Sequence, residues 1–199
     1  MTHLPRPTTS ALLLLLTTAV VSEADDASRT HKQIGVHAGL CVLVGENQAE
    51  RALALATVSD LVIYVPTTTL DQATTIRKAA DAAGLLGTRI TVDHGDPQRI
   101  GLASNLADAV VIQGSTRTPV AELMRVLRPR GRLIINGNIL VKPVPKGTGQ
   151  WSHPYHGADN NPQSTDTLAK APYLTKFLAT PWYGPMPEVT VSAGGRMFK

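Results

Sequence analysis

The fold of this chain is decided by the stretch Thr91-Val92-Asp93-His94-Gly95-Asp96 and by the apolar run Ala107-Asp108-Ala109-Val110-Val111-Ile112 that follows it. A β-branched run that ends in an acidic loop, followed by a second apolar run, predicts two strands with the loop at one end of their sheet. Residues 120–135 continue as an amphipathic helix, a turn and a third apolar run. Strands that alternate with helices predict a mostly parallel sheet with right-handed crossovers.

Two further apolar runs precede this stretch, and each is followed by alanine-rich helical spacing. Leu40 to Val44 is continuous and ends at Gly45, as expected for a strand covered on both faces. Leu61 to Val65 is stopped by Pro66. The sequence therefore predicts an α/β, Rossmann-like fold. We expect a mostly parallel five-stranded sheet with helices on both faces, followed by an irregular C-terminal tail.

Composition supports one domain plus a tail and argues against a nucleic-acid partner. The chain has 199 residues, 43% of them hydrophobic and only 4% aromatic, and a net charge of +4. Its basic residues are dispersed except for one cluster, formed by Arg125, Arg128, Arg130 and Arg132. This cluster could hold an anion or nucleic acid, but no interleaved aromatic side chain offers a platform for base stacking. A solvated carboxyl end of a helix is the favoured interpretation.

Thiol and metal chemistry receive little support. Cys41 is the only cysteine, which excludes an intramolecular disulfide and a cysteine-based zinc site. Its apolar surroundings predict a buried strand thiol rather than a nucleophile. His153, His156 and Asp159 fall within one polar loop, but His-Pro and Asn-Pro steps of this kind favour hydrogen bonds to the backbone. No metal site is predicted.

The amino terminus has the pattern of an export signal. Arg6 precedes the apolar run Ala11 to Val21, and Ser22-Glu23-Ala24 places small residues where a signal peptidase reads them. The run is shorter than the about 20 residues of a membrane-spanning helix. We predict a signal peptide over residues 1–24, a polar linker over 25–34, export to the periplasm or cell envelope, and no transmembrane domain after cleavage. An amino-terminal anchor or a misassigned start codon is the alternative.

The carboxyl edge of the predicted sheet is where ligands bind in open α/β folds. Asp96 follows the third strand and so lies at this edge. Its carboxylate can accept a hydrogen bond from the amino group of an adenine or from a ribose hydroxyl. Because Asp96 stands directly before Pro97, it can also cap a short helix.

From about Gly35 to Asn138 the chain resembles a class I S-adenosylmethionine-dependent methyltransferase domain. Gly95-Asp96 resembles the family's G-D step, whose aspartate contacts the adenine amino group. Residues 128–131, Arg-Pro-Arg-Gly, resemble its K-P-G-G turn, with Arg130 in place of a glycine. The resemblance implies an S-adenosylmethionine cofactor. Unlike the family, this chain is expected to lack the antiparallel hairpin that normally completes such a sheet after the fifth strand.

The family's glycine loop, G-x-G-x-G, is represented here by Gly45 at its first position, with Asn47 and Ala49 where the other glycines would be. Asparagine tolerates a positive φ better than most residues, so the turn can survive. The alternative is a plain strand-to-helix turn in which Asn47 caps the helix, three residues before Glu50.

The family's ribose-binding carboxylate at the end of the second strand is absent, because Thr67 stands there. A threonine offers only a neutral hydrogen bond, worth roughly 0.5–1.5 kcal/mol net. The residues that the resemblance assigns to cofactor binding are Gly45, Glu46, Asn47, Thr67, Asp93, Gly95 and Asp96.

The tail carries a second resemblance. Residues 151–164 and 185–196 are similar to the junction that joins a methyltransferase-like domain to a pyrroloquinoline-quinone-type β-propeller in large exported bacterial proteins. This implies a methyltransferase-like domain over 35–138 and a Pro/Gly/Asn-rich tail over 139–199. The tail would lead to a β-propeller partner domain that this chain does not include.

Two functions follow from these patterns. The first is an S-adenosylmethionine-binding methyltransferase with an unknown acceptor. Positioning can supply much of the rate of methyl transfer, so no catalytic residue is assigned. The second is a degenerate, non-catalytic Rossmann-like scaffold or interaction module in an exported propeller protein. The altered glycine loop, the missing ribose carboxylate and the export signal favour the second function, whereas the well-matched second half of the domain favours the first.

Overall fold

The computed structural model describes residues 24–96, 98–168, 191–193 and 196–198. The chain divides into two compact units, Met1–Pro143 and Val144–Lys199. The predicted export signal lies outside the described residues, apart from its last position. Among the residues described, no helix is long and apolar enough to cross a membrane.

The first unit alternates helices and strands. Residues 24–34 are helical and form α1. The elements that follow are β1 (Ala38–Gly45), α2 (Gln48–Val58), β2 (Asp60–Thr67), α3 (Leu70–Ala82), β3 (Ile90–His94), β4 (Ala107–Gln113), α4 (Val120–Val126), β5 (Leu127–Ile135) and β6 (Asn138–Val141).

The strands form one sheet in the order β3-β2-β1-β4-β5-β6. Neighbouring strands from β3 through β5 are parallel, and β6 pairs antiparallel with β5. The predicted Rossmann-like, mostly parallel sheet is confirmed. The expected number of five strands is wrong by one, since Asn138–Val141 returns along β5 instead of leaving the domain. An antiparallel strand therefore does follow the fifth strand.

Helices cover both faces of the sheet, as predicted. Cys41 and Leu43 of β1 join a core cluster with α2 and α3, whereas Val42 and Val44 join a second cluster with α4. Successive side chains of a strand point to opposite faces. The continuous apolar run of β1 thus fills two cores. Burial raises the pKa of the Cys41 thiol to about 12, which confirms the expected buried strand thiol.

Two segments differ from the sequence predictions. Residues 25–34, expected to be a polar linker, belong to α1, in which Ala27 and Ile34 are buried. The turn expected at Pro129 is instead part of β5, which begins directly after α4 and bulges between the pairs made by Ala107 and Ala109. Arg130 lies within this bulge and has a left-handed φ of 65°.

The second unit is described in two parts. Residues 144–168 contain turns and an isolated bridge between His153 and His156. Val191–Ala193 and Arg196–Phe198 form β7 and β8, an antiparallel pair.

Candidate functional site

A cleft of about 460 Å³ lies at the carboxyl edge of the parallel strands. It is lined by the ends of β1 to β3 and by the loops that follow β3 and β4. Six of the seven residues predicted for cofactor binding line it, namely Gly45, Glu46, Thr67, Asp93, Gly95 and Asp96. The seventh, Asn47, lines a neighbouring cavity. The structure therefore brings Asp96 and the backbone after Gly45 to one cleft.

The turn after β1 requires a glycine. Gly45 has a φ of +105°, and a Cβ there would overlap the carbonyl oxygen of Gln113. The next amide, of Glu46, donates to that same oxygen at 3.0 Å. The close approach ties the end of β1 to the end of β4, so this corner of the cleft is rigid.

Asn47 keeps the turn that a glycine would make and occupies the N-cap position of α2, but its side chain does not cap the helix. Its φ and ψ are 51° and 38°, in the left-handed region, and its side chain makes no capping hydrogen bond. The alternative in which Asn47 caps α2 thus holds for its position and not for a side-chain hydrogen bond. The neighbouring Gln48 was not anticipated: its Nε2 donates to the carbonyl oxygens of Leu43 and Pro66, which holds the ends of β1 and β2 together.

Thr67, at the position of the missing ribose carboxylate, is only 4% exposed. Its hydroxyl donates to the Asp93 carbonyl oxygen at 2.9 Å. The proton is thus already engaged, and a ligand meets only a lone pair of this oxygen. Beyond it, Thr68 is exposed in the cleft, while Thr69 caps α3 by accepting from Gln72 N.

Asp93 is joined to a tyrosine that sequence reasoning missed. The Tyr64 hydroxyl donates to Asp93 Oδ2 at 2.6 Å. Burial, reinforced by this hydrogen bond, raises the pKa of Tyr64. A Cβ on Gly101 would lie 2.7 Å from the same carboxylate oxygen, so a glycine lets the following loop approach. Nothing in the spacing of these residues signals the contact.

Asp96 is exposed and organises the loop that follows β3. Its Oδ1 accepts from Gln98 N at 2.8 Å, and its carbonyl oxygen accepts from Arg99 N at 3.0 Å. The described residues 98–100 contain a turn and no helix, so the short helix that Asp96 could cap is not seen in them. The carboxylate therefore shapes the rim of the cleft with one oxygen.

The side wall of the cleft rests on an ion pair. Arg125 contacts Glu122 through two nitrogens, each at 2.7 Å, and also donates to the carbonyl oxygens of Ile100 and Leu102. Glu122 in turn accepts from Ile100 N at 2.8 Å. The hydrogen bonds from Arg125 lower the pKa of Glu122. The pair fixes residues 100–102, two of which line the cleft.

The basic cluster has structural partners, which corrects the expectation of a merely solvated helix end. Besides Arg125, Arg128 donates to Asp108 at 2.6 Å and Arg132 donates to the Gln33 carbonyl oxygen at 2.6 Å. These guanidinium groups connect separate parts of the first unit.

A second cavity of about 330 Å³ lies between α1 and α2. Asn47, Arg51 and Gln113 contribute to its lining. Burial lowers the pKa of Arg51, and its Nη1 is buried without a hydrogen-bond partner among the described residues. Because Asn47 belongs to the turn that follows Gly45, this cavity and the cleft lie on either side of one loop.

The histidines of the second unit are engaged locally. His153 Nδ1 lies 2.9 Å from Ser152 Oγ, and the His156 ring meets Trp151 edge-on at 5.3 Å. Within the described part of the chain, no group of three His, Cys, Asp or Glu side chains could hold a metal ion.

Comparison with solved structures identifies the fold of the chain. No family model and no curated protein matches the chain. A protein assigned as an S-adenosyl-L-methionine-dependent methyltransferase from Methanococcus maripaludis shares 23% identity at a TM-score of 0.54, over 69% of each chain. One assigned as a sarcosine dimethylglycine methyltransferase from Galdieria sulphuraria shares 22% at 0.53, over 60% of this chain and 48% of that one.

A third solved structure was determined with ligands. It is the geranyl diphosphate C-methyltransferase of Streptomyces coelicolor A3(2), in complex with Mg²⁺, geranyl diphosphate and S-adenosyl-L-homocysteine. It shares 14% identity at a TM-score of 0.50, over 57% of this chain and 45% of that one. The present chain thus spans about two thirds of the archaeal protein and about half of the other two. Its fold is that of class I S-adenosylmethionine-dependent methyltransferases.

Proposed function

We propose that the cleft binds S-adenosylmethionine and that the domain is methyltransferase-like, with an acceptor still to be identified. One observation carries the proposal. The turn at Gly45 and the carboxylate of Asp96, which follow strands on either side of β2 in the sheet, line one cleft. Its volume of about 460 Å³ falls within the roughly 300–1,000 Å³ of small-molecule sites.

The residues present fit most of an adenosyl group. Asp96 has a carboxylate oxygen beyond the one that accepts from Gln98 N, and this can accept from an adenine amino group. Asp93, whose Oδ2 is held by Tyr64, lines the cleft beside Thr67. These two residues supply acceptors for ribose hydroxyls where the second strand lacks a carboxylate.

Bound S-adenosylmethionine would supply an electrophilic methyl group on a sulfonium sulfur. The task of this chain's residues is then to hold and orient the ligand. Well-positioned reactants gain effective molarities of about 10⁵–10⁸ M. The rigid corner between Gly45 and Gln113 suits that task, and the proposal assigns no side chain as an acid or base.

A non-catalytic scaffold is the second candidate, and Thr67 favours it. Its hydroxyl proton is given to Asp93 O, so a ribose would gain a weaker contact there than a carboxylate provides. In that case the Rossmann-like sheet would persist as an interaction module without binding the cofactor.

Calorimetric titration of the full chain with S-adenosylhomocysteine separates the two. We expect binding that Asp96→Ala weakens by about tenfold, in line with a lost charge-assisted hydrogen bond of about 1.4 kcal/mol. Asp81→Ala, on the exposed end of α3, is the matched control and should leave the affinity unchanged. The absence of heat at millimolar ligand would contradict cofactor binding and support the scaffold.

We also propose, from sequence patterns alone, that the protein is exported and that its tail adjoins a β-propeller. Fractionation of cells that produce a carboxyl-terminally tagged chain tests the first point, because retention of the product in the cytosol would refute export. The encoding DNA tests the second, because an open frame that continues into four-stranded repeats would support the propeller and an immediate stop would oppose it.

A further inference from the structure

One wall of the cleft is polar and is formed by the loop after β4. Four consecutive residues of this loop line the cleft, namely Ser115, Thr116, Arg117 and Thr118. β4 lies beside β1 in the sheet, and Gly45 pairs with Gln113. The loop therefore starts beside the turn at Gly45, on the side of β1 away from β2 and α3.

Arg117 differs from the arginines of the basic cluster. Arg125 and Arg128 contact carboxylates, and Arg132 donates to a carbonyl oxygen. Arg117 is exposed, and within the described part of the chain no ion pair or hydrogen bond engages its guanidinium group. An arginine that lines a cleft without a protein counter-anion presents its full set of donors to a ligand.

The surrounding loop adds neutral hydrogen-bonding groups. Thr116 Oγ1 accepts from Thr118 N at 3.1 Å, which shapes the turn. The hydroxyls of Ser115 and Thr118 belong to the same cleft wall. A guanidinium group flanked by hydroxyls suits a carboxylate or a phosphate, whose oxygens accept several hydrogen bonds at once.

A carboxylate lies at the start of the same loop. The Glu46 carboxylate lies against Gly114, where it would contact any added Cβ. Glu46 therefore favours the cationic end of a ligand, and Arg117 favours an anionic one. A cleft that carries both charges suits a positively charged methyl donor together with a negatively charged partner.

We propose that the methyl acceptor carries a carboxylate or phosphate group and that Arg117 binds it. The proposal rests on the proposed function, since it names the class of acceptor for the same cleft. Arg117 is a specificity-determining residue in this assignment. Binding of the cofactor's own carboxylate by Arg117 is the competing arrangement, and it predicts a different set of affinities.

The test titrates inorganic phosphate and acetate into the full chain, with and without saturating S-adenosylhomocysteine, and follows binding by NMR shift perturbation. We expect millimolar binding of at least one anion, weakened fivefold or more by Arg117→Gln. Lys78→Gln removes the same charge from the exposed face of α3 and should have no more than a twofold effect. Equal effects of the two variants would show that the anion responds to the net charge of the protein and not to Arg117. That outcome would overturn the proposal.

A second titration separates the acceptor from the cofactor. S-Adenosylhomocysteine carries an amino-acid end, whereas 5′-methylthioadenosine does not. We expect Arg117→Gln to leave both affinities within twofold of the parent. A loss for S-adenosylhomocysteine alone would assign Arg117 to the cofactor and overturn the proposal.

The two proposals fail separately. If neither nucleoside binds, the proposed function is refuted. Phosphate or acetate binding that depends on Arg117 would then still establish an anion site in the cleft. If the nucleosides bind and neither anion does, the acceptor class is refuted and the proposed function stands.

Discussion

The two edges of the parallel sheet carry similar residues and use them differently. At the amino edge, Asp108 accepts from Leu40 N at 2.9 Å and from Arg128 Nε at 2.6 Å. Arg89 there donates to the carbonyl oxygens of Leu61 and Ser59. These charged side chains thus have hydrogen-bond partners within the protein and connect neighbouring strands at this edge.

At the carboxyl edge, an aspartate and an arginine line a cleft instead. Asp96 and Arg117 line it, and both are exposed. Among the described residues, the Asp96 side chain contacts the backbone of its own loop and no group of opposite charge. This difference between the two edges shows where to look for a ligand-binding group. An aspartate or arginine is a candidate when no protein group of opposite charge pairs with it. The predictions below test whether the two edges differ in stability and in binding as this contrast requires.

The largest effect is expected at Gly45, where the carboxyl edge is tightest. Gly45→Ala places a methyl group against the Gln113 carbonyl oxygen at a φ of +105°. We expect a loss of about 3 kcal/mol in the free energy of unfolding, from strain and overlap together. Urea denaturation followed by circular dichroism measures it.

Gly87→Ala is the control for the first prediction. Gly87 also has a positive φ, +75°, but nothing lies within 4 Å of an added Cβ. Only the conformational penalty of about 1 kcal/mol should appear. If both alanine variants were equally stable, the close contact between β1 and β4 would not be a determinant of this edge.

The second prediction compares one aspartate from each edge. Asp108→Ala leaves Leu40 N without its acceptor and Arg128 without its counter-ion. The side chains of this pair are 20% and 39% exposed, so solvent moderates the cost, and we expect a loss of about 2 kcal/mol. Asp96→Ala should cost about 0.5 kcal/mol and act on ligand affinity instead. If Asp108→Ala and Asp96→Ala lost equal stability, the two edges would not differ in how they use their aspartates.

Much of the carboxyl edge could be predicted from sequence. Apolar runs of strand length, each ended by a glycine, proline or acidic residue, mark where β1, β2 and β3 end. Parallel connectivity then brings those ends to one side. The sequence therefore predicts Gly45 and Asp96 at one cleft, and the structure brings them there.

The remaining features depend on contacts between distant residues, which periodicity does not encode. The amide of Gln48 contacts two strand ends, and Tyr64 of β2 contacts Asp93 of the neighbouring strand β3. The short strand β6 is exposed along its length, so it lacks the alternation that signals a half-buried strand. The bulge at Arg130 could not be predicted from sequence either, because it follows from the pairing of β5 with β4.

The third prediction concerns the wall of the cleft and its dependence on pH. The folded pKa of Glu122 is lowered by Arg125, so its contribution to stability is present above the ordinary glutamate value of about 4.3. That contribution is lost as the pH falls below this value through the lowered pKa. Glu122→Gln should cost about 1 kcal/mol at pH 7, since the pair is 12% and 32% exposed.

Thermal unfolding between pH 7 and pH 3 measures this effect. The difference in stability between the parent and Glu122→Gln should shrink as the pH decreases through the acid range. Glu50→Gln, on α2, provides a glutamate whose carboxylate makes no ion pair with the described residues. A constant difference across the pH range would show that the ion pair does not support the wall.

The smallest effect is expected at Asn47, which sits between the cleft and the second cavity. Asn47→Gly relieves a left-handed φ of 51° and removes a side chain next to the turn. We expect a gain of about 0.5 kcal/mol in stability and about threefold tighter binding of S-adenosylhomocysteine in calorimetry. Asn160→Gly, with a φ of 54° in the second unit, is the matched control and should change stability alone. Weaker binding by Asn47→Gly would mean that the asparagine side chain itself contacts the ligand, and the turn would then be a variant adapted for binding and not a degenerate one.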